Sequence, residues 1–460
     1  MGKEIIILLD GTSNSPENQE PPTNIDILKQ MLSNGERPLS FQTIGTGWDL
    51  YRYELDKPRI VLYDRGLGSP TLNEQGQVQG WSWNVLTNMR VVYNKFFKEI
   101  SEATIASGIV DNVAEAYSLL ALHYKKNDND QVFMFGFSRG AYTLRLLITL
   151  IRHIGLIQID KLDEPALYNN SNVAANQAKL MELIKQGFST FDRHQHPDTN
   201  HAAQTFRDRY CYSKEECQGL IHFIGLFDTV RGCVMETVHE DSKLTSVVKT
   251  ARHALAIDER RPAFKPELWV PSIETDSQQV WFAGVHADVG GGYHDRGLSN
   301  IALRWILKEA FKTGLFIDQA TLAKYGVALT VSSTADQSTD SIGCLGVQHD
   351  SFHASVAKGS SLTWRDVSLG NQYRRPMLQT VKGEAVHKSV ARRYGKNVPV
   401  ASMDNKIPYQ PSNLSHALVA AHNAKQVTGS FFTLKAPDAD DLSDAGEEDS
   451  LVRAKTVKSV

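Results

Sequence analysis

The sequence predicts an α/β fold, in which helices cover both faces of a mostly parallel central sheet. Five short apolar runs each end in a polar segment, and helical patterns lie between several of them. The runs are too apolar for a sheet with one face in water, which favours a parallel sheet that is covered on both sides. They are Ile5–Leu9, Arg59–Tyr63, Val132–Phe135, Ile221–Phe227 and Val280–Val285.

Helical periodicity supports the same fold class. Residues 109–124 place Val113, Tyr117 and Leu120 on one face, as an amphipathic helix requires. Similar patterns cover 140–154 and 299–313. In such sheets the active site forms at the carboxyl ends of the strands, which is where the polar segments after the apolar runs are expected to meet.

Composition limits the possible partners. The 460 residues include 49 Lys and Arg against 52 Asp and Glu, and the net charge of −3 argues against nucleic acid as a partner. No apolar stretch is long enough to span a bilayer, and the N-terminus lacks the core of a signal peptide. We therefore expect a protein made in the cytoplasm, with reduced cysteines, that leaves the cell only through a dedicated secretion system.

The chain divides into three predicted regions. Residues 1–330 form the core, with 157–218 as a polar, cap-like insertion over the active site. Residues 331–434 show no clear alternation and are predicted to pack on the core as a C-terminal extension. Residues 435–460 begin acidic and end weakly basic, a composition that favours disorder.

The most informative motif is Gly136-Phe137-Ser138-Arg139-Gly140. An apolar strand pattern precedes it and an apolar helical pattern follows it, which is the order that a nucleophile elbow needs. Glycines at both flanks allow the sharp turn that projects a serine above the strand ends. Ser138 is therefore the predicted nucleophile.

A serine nucleophile needs a base and an acid that orients the base. Asp228 and His286 follow apolar runs in the order Ser, Asp, His that α/β-hydrolases use. Two alternatives stay open: Asp288, which more simply shapes the glycine-rich turn, could be the acid, and His387 could be the base.

The oxyanion hole requires two backbone N–H donors. Arg139 supplies the first by its position after the nucleophile, and Gly11 or Thr12, after the first strand, supplies the second. Asp10 is expected to hold that loop by hydrogen bonds; direct proton transfer by Asp10 is the alternative.

A histidine-rich segment offers a competing chemistry. His194, His196, Asp198 and His201 lie within HQHPDTNH, which partly matches the spacing of a metal site. The segment lies in the polar insertion and does not follow an apolar strand, which favours a solvated loop. We expect neither a metal nor a cofactor.

The motifs LDGTSNS, YDRGLGS, GFSRGAYTLRLL, GLFDTV, HALAIDERR and GVHADVGGGY occur in one order between about residues 4 and 310. In these the sequence resembles the uncharacterised α/β-hydrolase domain family that includes the type VI secretion lipase effectors of the first class. The resemblance implies an α/β-hydrolase fold and a triad at Ser138, Asp228 and His286. It also implies hydrolysis of membrane phospholipids, since the best-understood members are toxins that attack the envelope of rival bacteria.

These observations favour a serine hydrolase of lipid esters, of the phospholipase A type. Its partners would be a lipid or other acyl-ester substrate, a membrane surface contacted peripherally, a secretion carrier and an immunity protein. One alternative is an esterase or thioesterase for a small soluble acyl substrate. The other is a binding module that is not an enzyme or is activated by a partner.

Overall fold

The structure is a computed structural model. It describes residues 2–11, 21–44, 48–64, 104–162, 180–184, 186–187, 190, 200–231, 243–261, 264–324, 344–349, 384–401, 406–411 and 431–433. The chain has an α/β fold with helices and a mostly parallel sheet, which confirms the predicted class at that level.

The secondary structure follows the predicted alternation. Strands are β1 (Glu4–Leu9), β2 (Ser40–Ile44), β3 (Trp48–Tyr53), β4 (Arg59–Asp64), β5 (Gln131–Phe137), β6 (Ile221–Phe227), β7 (Val248–Ala256), β8 (Asp276–Phe282), β9 (Glu384–His387), β10 (Asn397–Val398), β11 (Ile407–Pro408) and β12 (Phe431–Thr433). Helices are α1 (Asn24–Met31), α2 (Thr104–His123), α3 (Ser138–Ile154), α4 (His201–Tyr210), α5 (His286–Gly290), α6 (Gly297–Lys312), α7 (Gln319–Lys324) and α8 (Lys388–Arg393).

The chain forms two compact units. The first contains Met1–Gln19, Ile25–Ile224 and Arg231–Thr250, and the second contains Glu20–Asn24, Gly225–Val230 and Ala251–Val460. The predicted boundaries at residues 330 and 434, and the predicted tail, lie outside the described residues, so these boundaries stay a prediction.

In the first unit, β1 is the central strand. It pairs in parallel with β4 on one side and with β5 on the other. Leu9 is in register with both Asp64 and Gly136, so the carboxyl ends of the three strands share one edge. All six residues of β1 are buried, as expected for a strand that is covered on both faces. β3 and β2 continue the sheet beyond β4 as antiparallel strands.

A buried ion pair lies at the opposite end of β1. Arg59 donates to Glu4 Oε2 through Nε at 2.8 Å and through Nη2 at 2.6 Å, and its Nη1 donates to the carbonyl oxygen of Leu32 at 2.6 Å. Both side chains are almost completely buried. Each charge is therefore compensated in surroundings where an unpaired charge would be costly.

Removing one member of this pair should destabilise the protein strongly. Glu4→Ala leaves the Arg59 guanidinium buried without its carboxylate, so we expect the free energy of unfolding to fall by about 3–5 kcal/mol in urea denaturation. Lys312→Met removes a largely exposed partner of Glu309 and should cost less than about 1 kcal/mol. Equal losses in the two variants would contradict this expectation.

The second unit contains part of the predicted C-terminal extension. β9 pairs in parallel with β8, and β12 pairs antiparallel with β9. Val386, Val390 and Tyr409 join a buried cluster with Leu255 and Trp281. This unit therefore builds its core from residues on both sides of position 330.

Several elements differ from the sequence-based expectation. The apolar run 280–285 predicts one strand, but β8 ends at Phe282. Gly284 has a φ of +106°, and a Cβ there would lie 2.3 Å from the Cβ of Asp288, so the backbone turns away before His286. β2, β3 and β7 were not predicted. No helix within the described ranges is long and apolar enough to cross a membrane.

Candidate active site

Ser138 occupies a strained turn between a strand and a helix. β5 ends at Phe137 and α3 begins at Ser138, whose φ is +57°. A left-handed backbone is uncommon for a residue other than glycine. It is, however, the conformation expected of the serine in a nucleophile elbow, where the strained turn lifts the hydroxyl above the sheet.

The two flanking glycines are required by close backbone contacts. A Cβ at Gly136 would lie 2.7 Å from Ala141 Cα, and a Cβ at Gly140 would lie 2.5 Å from the carbonyl oxygens of both Leu9 and Asp10. These neighbours are backbone atoms, which cannot rotate away as a flexible side chain could. The glycines therefore let α3 approach β1 and β5 closely at the serine.

A methyl group at position 140 should disturb this turn. In Gly140→Ala the new Cβ overlaps the carbonyl oxygens of β1 and its loop, so we expect a loss of about 1–3 kcal/mol in the free energy of unfolding. Gly219→Ala is the control, since its nearest neighbour would be 3.9 Å away and its cost is confined to a φ of +63°. A Gly140→Ala protein as stable as the wild type would show that the close approach is unnecessary.

Asp10 holds the loop after β1. Its Oδ1 accepts the N–H of Gly11 at 2.7 Å, and the Tyr63 hydroxyl donates to its Oδ2 at 3.3 Å. The N–H of Gly11 is thus already engaged by a carboxylate, so Gly11 could serve an oxyanion only after releasing it. Thr12, the other predicted donor, lies outside the described residues.

The second unit contains a buried carboxylate–histidine pair. Asp228 Oδ2 lies 2.6 Å from His286 Nδ1, and Asp228 Oδ1 accepts the N–H of Ala256 at 2.9 Å. Asp228 is fully buried and His286 nearly so. A carboxylate on Nδ1 fixes the orientation of the ring and supports a proton on that nitrogen, which makes Nε2 the basic one.

The surroundings favour a neutral imidazole. Burial lowers the pKa of His286 from its usual 6.5, and the hydrogen bond to Asp228 and its negative charge act in the opposite direction. Since a neutral imidazole is the form that accepts a proton, His286 is suited to be a general base near neutral pH.

The two rival residues have other partners. Asp288 Oδ2 accepts the N–H groups of Val285 and His349, each at 3.1 Å, and its Oδ1 lies 2.6 Å from His349 Nδ1. It therefore shapes the turn into α5. His387 accepts the N–H of Ser389 at 3.3 Å and caps α8. The contact of Asp288 with His349 has the same length as the one between Asp228 and His286, so this carboxylate is engaged by a different histidine.

Sequence reasoning missed several polar residues around this pair. His253 is fully buried and its Nε2 accepts the N–H of Thr229 at 3.1 Å, next to Asp228. Asp258 Oδ2 accepts the N–H of Gly284 at 2.6 Å and the Tyr409 hydroxyl at 3.0 Å. Burial raises the pKa of Asp258 to about 6. The motif HALAIDERR contains His253 and Asp258, but the sequence alone does not show what these two side chains contact.

The predicted site residues are therefore divided between the two units. Asp10, Gly11, Gly136, Ser138, Arg139 and Gly140 belong to the first unit, and Asp228, His286 and Asp288 belong to the second. Each set has the local geometry described above.

The alternative metal site is not tested, because His194, His196 and Asp198 lie outside the described residues. Within the described ranges, no group of three or more His, Cys, Asp or Glu residues could hold a metal ion. Cys211, Cys217 and Cys344 are buried, free thiols.

Comparison with known families decides the relationship. Residues 3–309 match the model of the type VI secretion system phospholipase effector Tle1-like catalytic domain. The chain belongs to this family. The family identified from the sequence motifs is thereby confirmed, and the Tle1-like region includes Ser138, Asp228 and His286 but not the alternative base His387.

Individual relatives are distant. The chain is 23% identical over 279 residues to an uncharacterized protein, YEL023C, of Saccharomyces cerevisiae; the match covers 59% of this chain and about a third (33%) of the yeast protein. A solved uncharacterized protein from Pseudomonas aeruginosa shares 16% identity at a TM-score of 0.36, covering 74% of this chain and 50% of that one. The Tle1 effector, solved bound to the VgrG spike of the type 6 secretion system, shares 13% identity at a TM-score of 0.35. The match covers 82% of this chain and 84% of the effector.

Proposed function

We propose that this protein is a serine hydrolase of lipid esters with an α/β-hydrolase fold, in which Ser138, His286 and Asp228 are nucleophile, base and acid. The observation that carries the proposal is the left-handed backbone of Ser138 at a strand-to-helix turn between two indispensable glycines. Membership of the Tle1-like phospholipase effector family supports the same reaction class.

The proposed reaction proceeds through an acyl-enzyme. His286 takes the hydroxyl proton of Ser138 while Oγ attacks the ester carbonyl. The N–H of Arg139 stabilises the oxyanion of the tetrahedral intermediate. When the intermediate collapses, the ester C–O bond breaks and the leaving alkoxide takes the proton from His286. Water, activated in turn by His286, then releases the fatty acid and restores Ser138.

Asp228 has a defined part in this sequence. Its bond to Nδ1 keeps the basic Nε2 lone pair directed away from the carboxylate, and its charge stabilises the imidazolium that forms in each step. The full burial of Asp228 strengthens this effect, because little water screens the charge.

A fluorophosphonate probe tests the nucleophile directly. The wild-type protein should form a covalent adduct at Ser138, visible by intact mass, and Ser138→Ala should form none because the nucleophilic oxygen is missing. Asp228→Asn keeps the shape of the acid and should slow labelling by several orders of magnitude through the wrong histidine tautomer. Labelling that persists in Ser138→Ala would refute the assignment.

Phospholipid vesicles test the substrate class. We expect release of fatty acid from vesicles of phosphatidylcholine and phosphatidylglycerol to exceed hydrolysis of a short, soluble ester, as a phospholipase A type enzyme requires. Each methylene that leaves the bilayer needs about 0.8 kcal/mol of compensating burial in the enzyme. Ser138→Ala is the matched control. Hydrolysis of the short ester alone would instead favour the small-substrate esterase.

The family also suggests how the protein meets its substrate. We propose export by the type VI secretion system on a carrier protein, as the family description supports, with peripheral contact to the target membrane. An immunity protein in the producing cell is the corresponding expected partner.

A further inference from the structure

The loop after β7 contains a fully buried carboxylate that contacts the backbone of His286. Glu259 Oε2 accepts the N–H of His286 at 3.2 Å and Arg261 Nη2 at 2.9 Å. Its Oε1 accepts the backbone N–H groups of Arg260 and Arg261 at 3.0 and 2.9 Å, and also Arg261 Nε at 2.9 Å. One side chain therefore joins the turn after β7 to the first residue of α5.

The guanidinium of Arg261 links this carboxylate to the imidazole ring. Its Cζ lies 3.5 Å from the centroid of the Phe264 ring, a distance typical of cation–π stacking. The Phe264 ring in turn meets the His286 ring edge to face, with centroids 4.8 Å apart. His286 is thus fixed at its backbone by Glu259, at its ring by Phe264 and at Nδ1 by Asp228.

We propose that Glu259, Arg261 and Phe264 form a clamp that positions His286 and sets a pair of opposite charges beside it, with Glu259 fully buried and Arg261 partly exposed. The base role of His286 rests on the proposed function, whereas the clamp itself rests on the contacts above. Nothing in the elbow or in the Asp–His pair requires an ion pair at this place. An ion pair that keeps a carboxylate fully buried is also a weak source of stability compared with apolar packing, so its placement against the base indicates a positioning role.

Charged groups lie near His286 in three parts of the second unit. Asp228 follows β6, Glu259 and Arg261 follow β7, and Asp288 lies on α5 itself. Burial lowers the pKa of His286. The carboxylates of Asp228 and Glu259 raise this pKa, and the guanidinium of Arg261 lowers it. Within the clamp, the two charges therefore act on the imidazole in opposite directions and partly cancel.

This balance makes a sharp test possible in the full-length protein. The pKa of His286 is measured by NMR on protein with ¹⁵N-labelled histidine, and the signal is assigned by its loss in His286→Gln. Glu259→Gln should lower that pKa by about one unit, and Arg261→Gln should raise it by about one unit, a typical effect of removing a charge near a histidine. Glu309→Gln, which breaks the buried ion pair of Glu309 with Arg252 (2.7 Å), is the matched control and should leave the pKa unchanged.

A role limited to structural support would give a different result. Loss of packing alone predicts shifts in the same direction in both clamp variants, or no shift in variants with a normal melting temperature, and either result would overturn the proposal. An equal shift in Glu309→Gln would also overturn it. If Glu259→Gln does not fold, Arg261→Gln is compared with Arg261→Lys, which keeps the positive charge and should shift the pKa less.

Activity provides a second readout. The acidic limb of the kcat/KM profile should move down in pH in Glu259→Gln and up in Arg261→Gln, parallel to the NMR values, and Glu259→Asp should restore the wild-type profile. A wild-type protein without hydrolase activity would refute the proposed function while the NMR titration still decides the clamp. Opposite NMR shifts with an unmoved kinetic profile would refute the positioning role of the clamp in catalysis.

Discussion

The close approach of α3 to β1 is the constraint on which the chemistry of the first unit depends. At Gly140 the carbonyl oxygens of Leu9 and Asp10 occupy the space where any side chain would begin. At Gly140 the backbone of α3 is in direct contact with that of β1. Ser138, the first residue of α3, adopts a left-handed φ. Strain of this kind persists only where the surrounding packing imposes it, and the largely buried α3 provides that packing.

The second unit contains charged side chains that are buried away from water. Asp228 and Glu259 are both fully buried, yet each accepts a backbone N–H and has a nitrogen-bearing side chain on its carboxylate. Partners of this kind offset the cost of removing a carboxylate from water. The result is a histidine whose pKa is lowered by burial and whose orientation is fixed by hydrogen bonds, a combination that suits general-base chemistry.

The sequence predicts the features whose cause is local and misses those whose cause is tertiary. β1, β4 and β6 follow from predominantly apolar runs, and the turn at Ser138 follows from its glycines. β7 escapes notice because Arg252 and His253 interrupt its pattern; both are buried, but only through partners that are distant in sequence. Glu259 lies in the charged run Asp258–Arg261, which in sequence is typical of a solvated turn, and only the fold shows that it is buried against His286.

The cluster around Trp281 limits how far this chain can be truncated at its C-terminal side. The matched family region ends at residue 309, but Val386, Val390 and Tyr409 complete the packing around Leu255 and Trp281. A recombinant chain stopped at 309 would expose that apolar surface and an unpaired edge of β8, and open edges of this kind promote aggregation. Tyr409 and His349 would also be lost from the turn that leads into α5. Expression of the domain for biochemistry therefore needs residues to at least 433, because β12 covers the edge of β9, and a soluble but inactive 309-residue product would say nothing about the longer protein.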